Sequence, residues 1–94
     1  MSGASDSWRR DGELPFQKLD EETIVLDPSR REVHLLNETA ARIWELLASP
    51  QSLDDLAAVL GDEYEVDEAE LRAEVVSCVE GLTTKGLLVA EEAR

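Results

Sequence analysis

Leu35-Leu36-Asn37-Glu38-Thr39-Ala40-Ala41-Arg42-Ile43-Trp44-Glu45-Leu46-Leu47 is the stretch that decides the fold, because a strand runs directly into a helix within it. The residues that lead up to it, Glu32-Val33-His34-Leu35-Leu36, have the apolar and β-branched density of a strand. Asn37 then supplies an N-cap. Behind it Ala40, Ile43, Trp44 and Leu47 recur at i, i+3, i+4 and i+7, which puts all four on one helical face. This helix is expected to stop near Ser49-Pro50.

Toward the N-terminus, Glu22-Thr23-Ile24-Val25-Leu26 is a second candidate strand. Between the two, Asp27-Pro28-Ser29-Arg30 has the composition of a turn: Pro28 suits its second position, and Asp27 can accept hydrogen bonds from the backbone ahead of it. A hairpin is predicted. A further strand over Leu14-Pro15-Phe16-Gln17-Lys18 is weakly written, since Pro15 suits only a strand start or an edge. Met1 to Glu13 is rich in Ser, Gly, Asp and Arg around an isolated Trp8, and is expected to be a flexible tail ahead of a folded domain over 14–90.

Toward the C-terminus two more helices announce themselves. Ser52 caps one, with Asp55 three residues on, and Leu53, Leu56, Ala57 and Leu60 repeat the helical spacing before Gly61 is expected to end it. Asp67 with Glu70 forms an Asp version of the capping box, Val66 and Leu71 are placed as a hydrophobic staple, and Leu71, Val75, Cys78, Val79 and Leu82 make the longest apolar stripe. Lys85-Gly86 closes that helix. Leu87-Leu88-Val89 adds a last short strand or packs back on the core, and Glu91 to Arg94 is expected to fray. The fold class predicted is α+β, winged helix-turn-helix-like: a two- or three-stranded antiparallel sheet at the N-terminus followed by three helices.

Composition narrows the function. Ninety-four residues make one domain, with 43% hydrophobic residues but only 4% aromatic ones, so a thin, helix-rich core is expected. The formal net charge is −13, which sets a strong repulsion against phosphate backbones and anionic lipid surfaces. From Ser52 to Glu74, the part that would present a DNA-recognition surface in a winged helix, nine residues are acidic and one, Arg72, is basic. Such a surface repels a duplex, and no nucleic acid or membrane partner is predicted. A lone cysteine, Cys78, cannot close an intramolecular disulfide, and the N-terminus lacks a signal-peptide apolar stretch, so a cytoplasmic location is expected. The longest unbroken apolar run is Leu56 to Leu60, far short of the roughly 20 residues of a membrane span.

Catalytic chemistry finds little support. A structural zinc site needs about four ligands at fixed spacing, whereas this chain has one His and one Cys, His34 and Cys78, far apart. The acidic run Asp62-Glu63-Tyr64-Glu65-Val66-Asp67 lacks the alternating ligands, central Gly and terminal Glu of an EF-hand loop, and reads as a solvated connection between helices. No GxGxxG, GxxxxGK[ST] or GxSxG occurs. Neither an enzyme nor a cofactor is predicted. Cys78, on an apolar stripe, reads as a small buried hydrophobe, and Trp44 as the anchor of the first helix.

The segment Leu35 to Leu47 resembles the PqqD-like family, whose hallmark is a strand ending in Leu-Asn that runs into an apolar helix. The likeness continues through Ser52-Leu53-Asp54-Asp55-Leu56-Ala57, Tyr64-Glu65-Val66-Asp67, and the closing Leu82 to Gly86-Leu87-Leu88, and covers about residues 20 to 89. Its specificity lies in the order of the four segments rather than in any one. The resemblance implies a recognition element of the lasso-peptide or pyrroloquinoline-quinone kind. Such an element holds the leader of a ribosomally made precursor and presents the peptide to a modifying enzyme recruited in trans, either a radical SAM enzyme or a leader peptidase. It also implies that the leader adds as an antiparallel strand to the strand matched here by Glu32 to Leu36, beside the third helix.

The residues themselves supply the parts for this. An edge strand offers unpaired N–H and C=O groups, and alternating side chains form pockets. Backbone contacts are expected from Glu32, Val33, His34, Leu35 and Leu36, and apolar contacts from Val33, Leu35, Leu71, Val75, Cys78 and Val79. The last four sit on a stripe that also reads as core. Arg72 is the cation on the early part of the third helix, available to an acidic leader residue or simply a surface charge. The −13 charge predicts a basic patch on the enzyme or the precursor. The competing reading is a winged-helix-like protein-interaction or regulatory domain that binds no precursor.

Overall fold

The structure, a computed structural model, describes residues 7–91. In chain order its elements are β1 (Ser7–Arg10), β2 (Phe16–Leu19), β3 (Glu22–Asp27), β4 (Glu32–Leu36), α1 (Glu38–Leu46), α2 (Leu53–Glu63), α3 (Glu68–Thr84) and β5 (Leu88–Glu91). The predicted α+β arrangement, an antiparallel sheet followed by three helices, is the one observed.

The sheet that matters for function is β2-β3-β4, antiparallel throughout. Its hairpin turn forms as expected: the Asp27 carboxylate accepts from Ser29 Oγ at 2.9 Å and from the Arg30 amide at 3.3 Å, with Arg31 in the left-handed region at φ 56°. Register places Val25 opposite His34 and Thr23 opposite Leu36 on the inner face, and Leu26 opposite Val33 and Ile24 opposite Leu35 on the outer one. Inner residues Thr23, Val25 and Leu36 are buried, while outer residues Leu26, Val33 and Leu35 are exposed.

Each helix starts where its cap was expected. Asn37 accepts from the Ala40 amide, and Ser52 and Asp55 exchange both bonds of a capping box. Asp67 accepts from the Ala69 and Glu70 amides. Only this half of the Asp67–Glu70 box forms among the described residues. Ile43, Trp44 and Leu47 from α1, Leu56 and Leu60 from α2, and Leu71, Val75, Val79 and Leu82 from α3 meet in one core with Val25 and Leu36.

Three expectations are corrected. Gly61 does not end the second helix, which continues to Glu63; Arg42 on α1 grips the Glu63 carboxylate with both Nε and Nη2 and holds that last turn in place. Residues 7–10, placed in the expected tail of 1–13, form β1, paired antiparallel with β5 from Ser7 opposite Glu91 to Arg10 opposite Leu88. On its other side β1 exchanges backbone bonds with Gln51 at 2.9 Å, and the Arg10 amide donates to the Leu47 carbonyl at 2.8 Å. Its order comes from partners 37 to 84 residues away, and those leave no local trace. Arg10 adds a second tie: its guanidinium lies 4.5 Å over the Phe16 ring, which meets Trp44 edge-on at 5.7 Å, and it donates to the Trp44 carbonyl. The same pairing brings Glu91 into β5, while residues 1–6 and 92–94 of the expected ends lie outside the described residues.

Candidate peptide-binding groove

β4 is an edge. It pairs with β3 on one side, and among the described residues no strand occupies the other, so alternate N–H and C=O groups of residues 32–36 face outward unpaired. α3 runs alongside in the opposite direction. Arg30, in the turn before β4, donates from Nη1 to the carbonyl of Lys85 at the end of α3. At the other end of β4, Asn37 faces Glu74, Ser77 and Cys78 across a cavity of about 240 Å³.

That cavity continues into a second of about 190 Å³, where Leu35 and Leu36 face Cys78, Gly81, Leu82 and Lys85. The two share Asn37, Ala40, Ser77 and Cys78 and form one groove between the strand edge and the helix. Its floor is apolar, from Ala40, Leu36 and Leu82. Small residues on α3, Ser77 and Gly81, leave room for incoming side chains; nothing lies within 4 Å of where a Cβ on Gly81 would stand. Arg30 stands beside the Lys85 end, bonded to the Lys85 carbonyl. Its guanidinium lies 3.0 Å from the position a Cβ on Gly86 would take, an approach that glycine permits, and φ +79° at Gly86 independently favours glycine.

Cys78 forms part of the groove wall and is half-buried. Burial pushes its thiol up to about 11, with the nearby Glu74 carboxylate pushing the same way and Lys85 opposing. The thiol stays neutral at physiological pH and behaves as an apolar contact.

The structure sorts the expected site residues into four sets. Leu35, Leu36 and Cys78 meet in the groove. Val33 is 66% exposed on the outer sheet face, and Glu32 and His34 pair with each other on the inner face, His34 Nε2 lying 3.2 Å from Glu32 Oε1. Val75 and Val79 lie in the core, with Val75 fully buried and Val79 4% exposed, so neither offers a side chain to a ligand. Leu71 and Arg72 face α2 instead. They line a larger cavity of about 350 Å³ with Asp54, Ala57 and Gly61, and Arg72 Nη2 is bonded to Asp54 Oδ1 at 2.6 Å. None of that cavity's lining residues is on β4.

Glu74, Ser77, Gly81 and Lys85 are groove residues that the sequence reading did not single out. With Cys78 they recur at i, i+3, i+4, i+7 and i+11, a second stripe beside the apolar one. That spacing was the available signal, but polar residues on it look like an ordinary solvated face. Among the described residues there is no group of three or more His, Cys, Asp or Glu side chains placed to hold a metal, and no helix long and apolar enough to cross a membrane.

An open sheet edge beside the last helix of a winged helix-turn-helix-like domain has the geometry that strand addition requires. The family model for coenzyme PQQ synthesis protein D (PqqD) matches residues 22–88, and the chain belongs to that family. A comparison with curated proteins finds no match. Among solved structures, TbiB1 in complex with the TbiA(beta) leader peptide is 21% identical, with a TM-score of 0.77 over 85% of this chain and 93% of that one. Lasso peptide synthetase B1 complexed with the leader peptide is 29% identical, with a TM-score of 0.75 over 87% and 96%. The third is the solution structure of the PqqD truncation of Methylobacterium extorquens PqqCD, a functional and stand-alone recognition element for ribosomally synthesised and post-translationally modified peptides. It is 20% identical, with a TM-score of 0.71 over 88% of each chain.

Proposed function

We propose that this chain binds the leader segment of a ribosomally synthesised precursor peptide by strand addition to β4, and delivers the peptide to a modifying enzyme. The observation that carries this reading is the unpaired β4 edge set against the apolar-floored groove of α3, in a chain 29% identical to a lasso peptide synthetase B1 complexed with a leader peptide. Backbone groups of residues 32–36 supply affinity that is blind to sequence, and the groove lined by Leu35, Cys78 and Gly81 supplies selection by side chain. The role is that of an adaptor rather than a catalyst. The enzyme it serves is a radical SAM enzyme or a leader peptidase acting in trans, and the setting is the cytoplasm, where ribosomal peptides are made.

The test is direct titration with a fluorescent synthetic leader from the nearest encoded short peptide, against a scrambled copy. Binding is expected for the leader and lost for the scramble. Leu35 is 59% exposed, so Leu35→Asp is expected to abolish binding while leaving the circular dichroism spectrum unchanged. A leader that binds the Asp variant as well as the parent sinks the groove assignment, and a chain that ignores every leader returns the winged-helix interaction domain as the better reading.

A further inference from the structure

The groove is electrically polarised in a way the whole molecule is not. Nine Lys and Arg residues face 22 acidic ones in this chain, and most of the cations are spent internally. Arg9 pairs with Glu91, Lys18 with Glu45, Arg42 with Glu45 and Glu63, and Arg72 with Asp54. Arg10 is stacked on Phe16 and bonded to a carbonyl. Arg30 lies over Gly86 and reaches Asp27 only at 3.9 Å. Among the described residues three cations have no carboxylate partner, Arg10, Arg31 and Lys85; with Arg10 held by the Phe16 ring and the Trp44 carbonyl, Arg31 and Lys85 are left, and both are exposed.

Both stand at the same end of the groove. Lys85 lines it, and Arg31 occupies the turn between Arg30 and the first residue of β4; Arg30 in turn bonds the Lys85 carbonyl. The opposite end carries Glu74. In a chain with more than twice as many acids as bases, two cations that have no carboxylate partner among the described residues, one lining the groove and one in the turn beside that end, are positioned for an external anion.

We infer that the segment bound along β4 carries an Asp or Glu side chain at the end lying against Arg31 and Lys85, so that these two residues fix the direction and part of the sequence preference of the bound peptide. This rests on the groove reading above and names the ligand chemistry within it. A strand edge accepts a chain by backbone bonds that do not distinguish one side-chain sequence from another. A carboxylate clamp at one end and a repelling Glu74 at the other supply the missing discrimination, because an acidic residue placed at the wrong end meets like charge.

The probe is a displayed library of randomised 12-residue peptides selected on the full chain, with clones retained only when Leu35→Asp abolishes their binding. These clones are expected to share an Asp or Glu toward one common end. Converting that residue to Asn or Gln is expected to weaken binding about tenfold, the scale of one charge-assisted contact. On the Arg31→Glu/Lys85→Glu variant the same conversion is expected to cost nothing, and Lys at that position to bind better than Glu. Both positions are exposed, and a thermal melt confirms folding; Lys85→Gln alone is the second variant, expected to shrink the acid-to-amide difference to about threefold. Leu35-dependent peptides with no end preference for acid, or with an acid preference unchanged by both variants, overturn this inference and leave the groove reading standing. A library that yields no Leu35-dependent clone overturns both.

Discussion

Cys78 is a residue whose chemistry is set by its place in the groove wall. Desolvation and Glu74 hold the thiol up to about 11, so at pH 8 the thiolate is on the order of one part in a thousand. Alkylation by iodoacetamide is therefore expected to be slow at pH 8, to accelerate about tenfold per pH unit, and to level off only near 11. A bound peptide covers the same wall and is expected to slow the reaction further at every pH. Mass spectrometry of the intact chain over time measures both effects. A reaction that levels off near pH 9 shows an ordinary, solvated thiol and takes Cys78 out of the groove wall. The neighbours of Cys78 show why the site was only partly legible. Leu35 and Cys78 could be picked from the sequence because apolar residues at strand and helix spacing are visible there, whereas Ser77, Gly81 and Lys85 look like any exposed helix face.

At the scale of elements, the turn from α3 into β5 fixes the Lys85 end of the groove. The Leu87 amide donates to the Leu82 carbonyl at 3.0 Å and the Gly86 amide to that of Thr83 at 2.9 Å, the paired bonds of a Schellman motif, with Leu82 and Leu87 both buried beneath. Gly86→Ala is expected to cost about 1–2 kcal/mol, from the positive φ and from crowding against the Arg30 guanidinium. That corresponds to a fall in thermal midpoint of roughly 4–15 °C in a domain of this size. Adding Arg30→Ala relieves the crowding but not the φ, so a partial recovery is expected. A Gly86→Ala chain that melts with the parent contradicts the strained turn. This turn was readable from Lys85-Gly86, as were the caps Asn37, Ser52 and Asp67 and the hairpin at Asp27-Pro28, because each is a signal carried within a few residues. β1 was not, since its partners at Gln51 and residues 88–91 are remote in sequence and Trp8 looks isolated without them. Nor does helical spacing say which of two adjacent stripes on α3 meets the core; Val75 and Val79 turned inward, and the stripe of Glu74, Ser77, Cys78 and Gly81 was left to the groove.

For the whole molecule the governing quantity is charge. A net −13 is carried by a body with a radius of gyration of 13.2 Å, and the run from Asp62 to Glu70 alone holds six carboxylates. Two effects of salt compete. Added salt weakens the exposed ion pairs such as Arg72–Asp54 and Lys18–Glu45, each worth about 0.2–1 kcal/mol. It also relieves repulsion among the surplus carboxylates, which in water amounts to about 1 kcal/mol for each like pair at 4 Å and sums over many longer separations. The screening length falls from about 30 Å at 0.01 M to about 10 Å at 0.1 M, so long-range repulsion across the molecule is lost first while contacts at 2.6 to 2.8 Å persist. Relief of repulsion wins in that window. The thermal midpoint is expected to rise between 0.01 and 0.1 M salt, equally for NaCl and KCl, and a midpoint that falls would show that the ion pairs outweigh the surplus. The same window separates the two charges felt by a leader: general repulsion of an acidic peptide fades over tens of ångströms, whereas its contact with Arg31 and Lys85 acts at hydrogen-bond range. Association of an acid-bearing peptide is therefore expected to speed up as salt rises to 0.1 M, and stopped-flow fluorescence that shows slower association over this range would mean that the cationic end of the groove, rather than the net charge, dominates the approach.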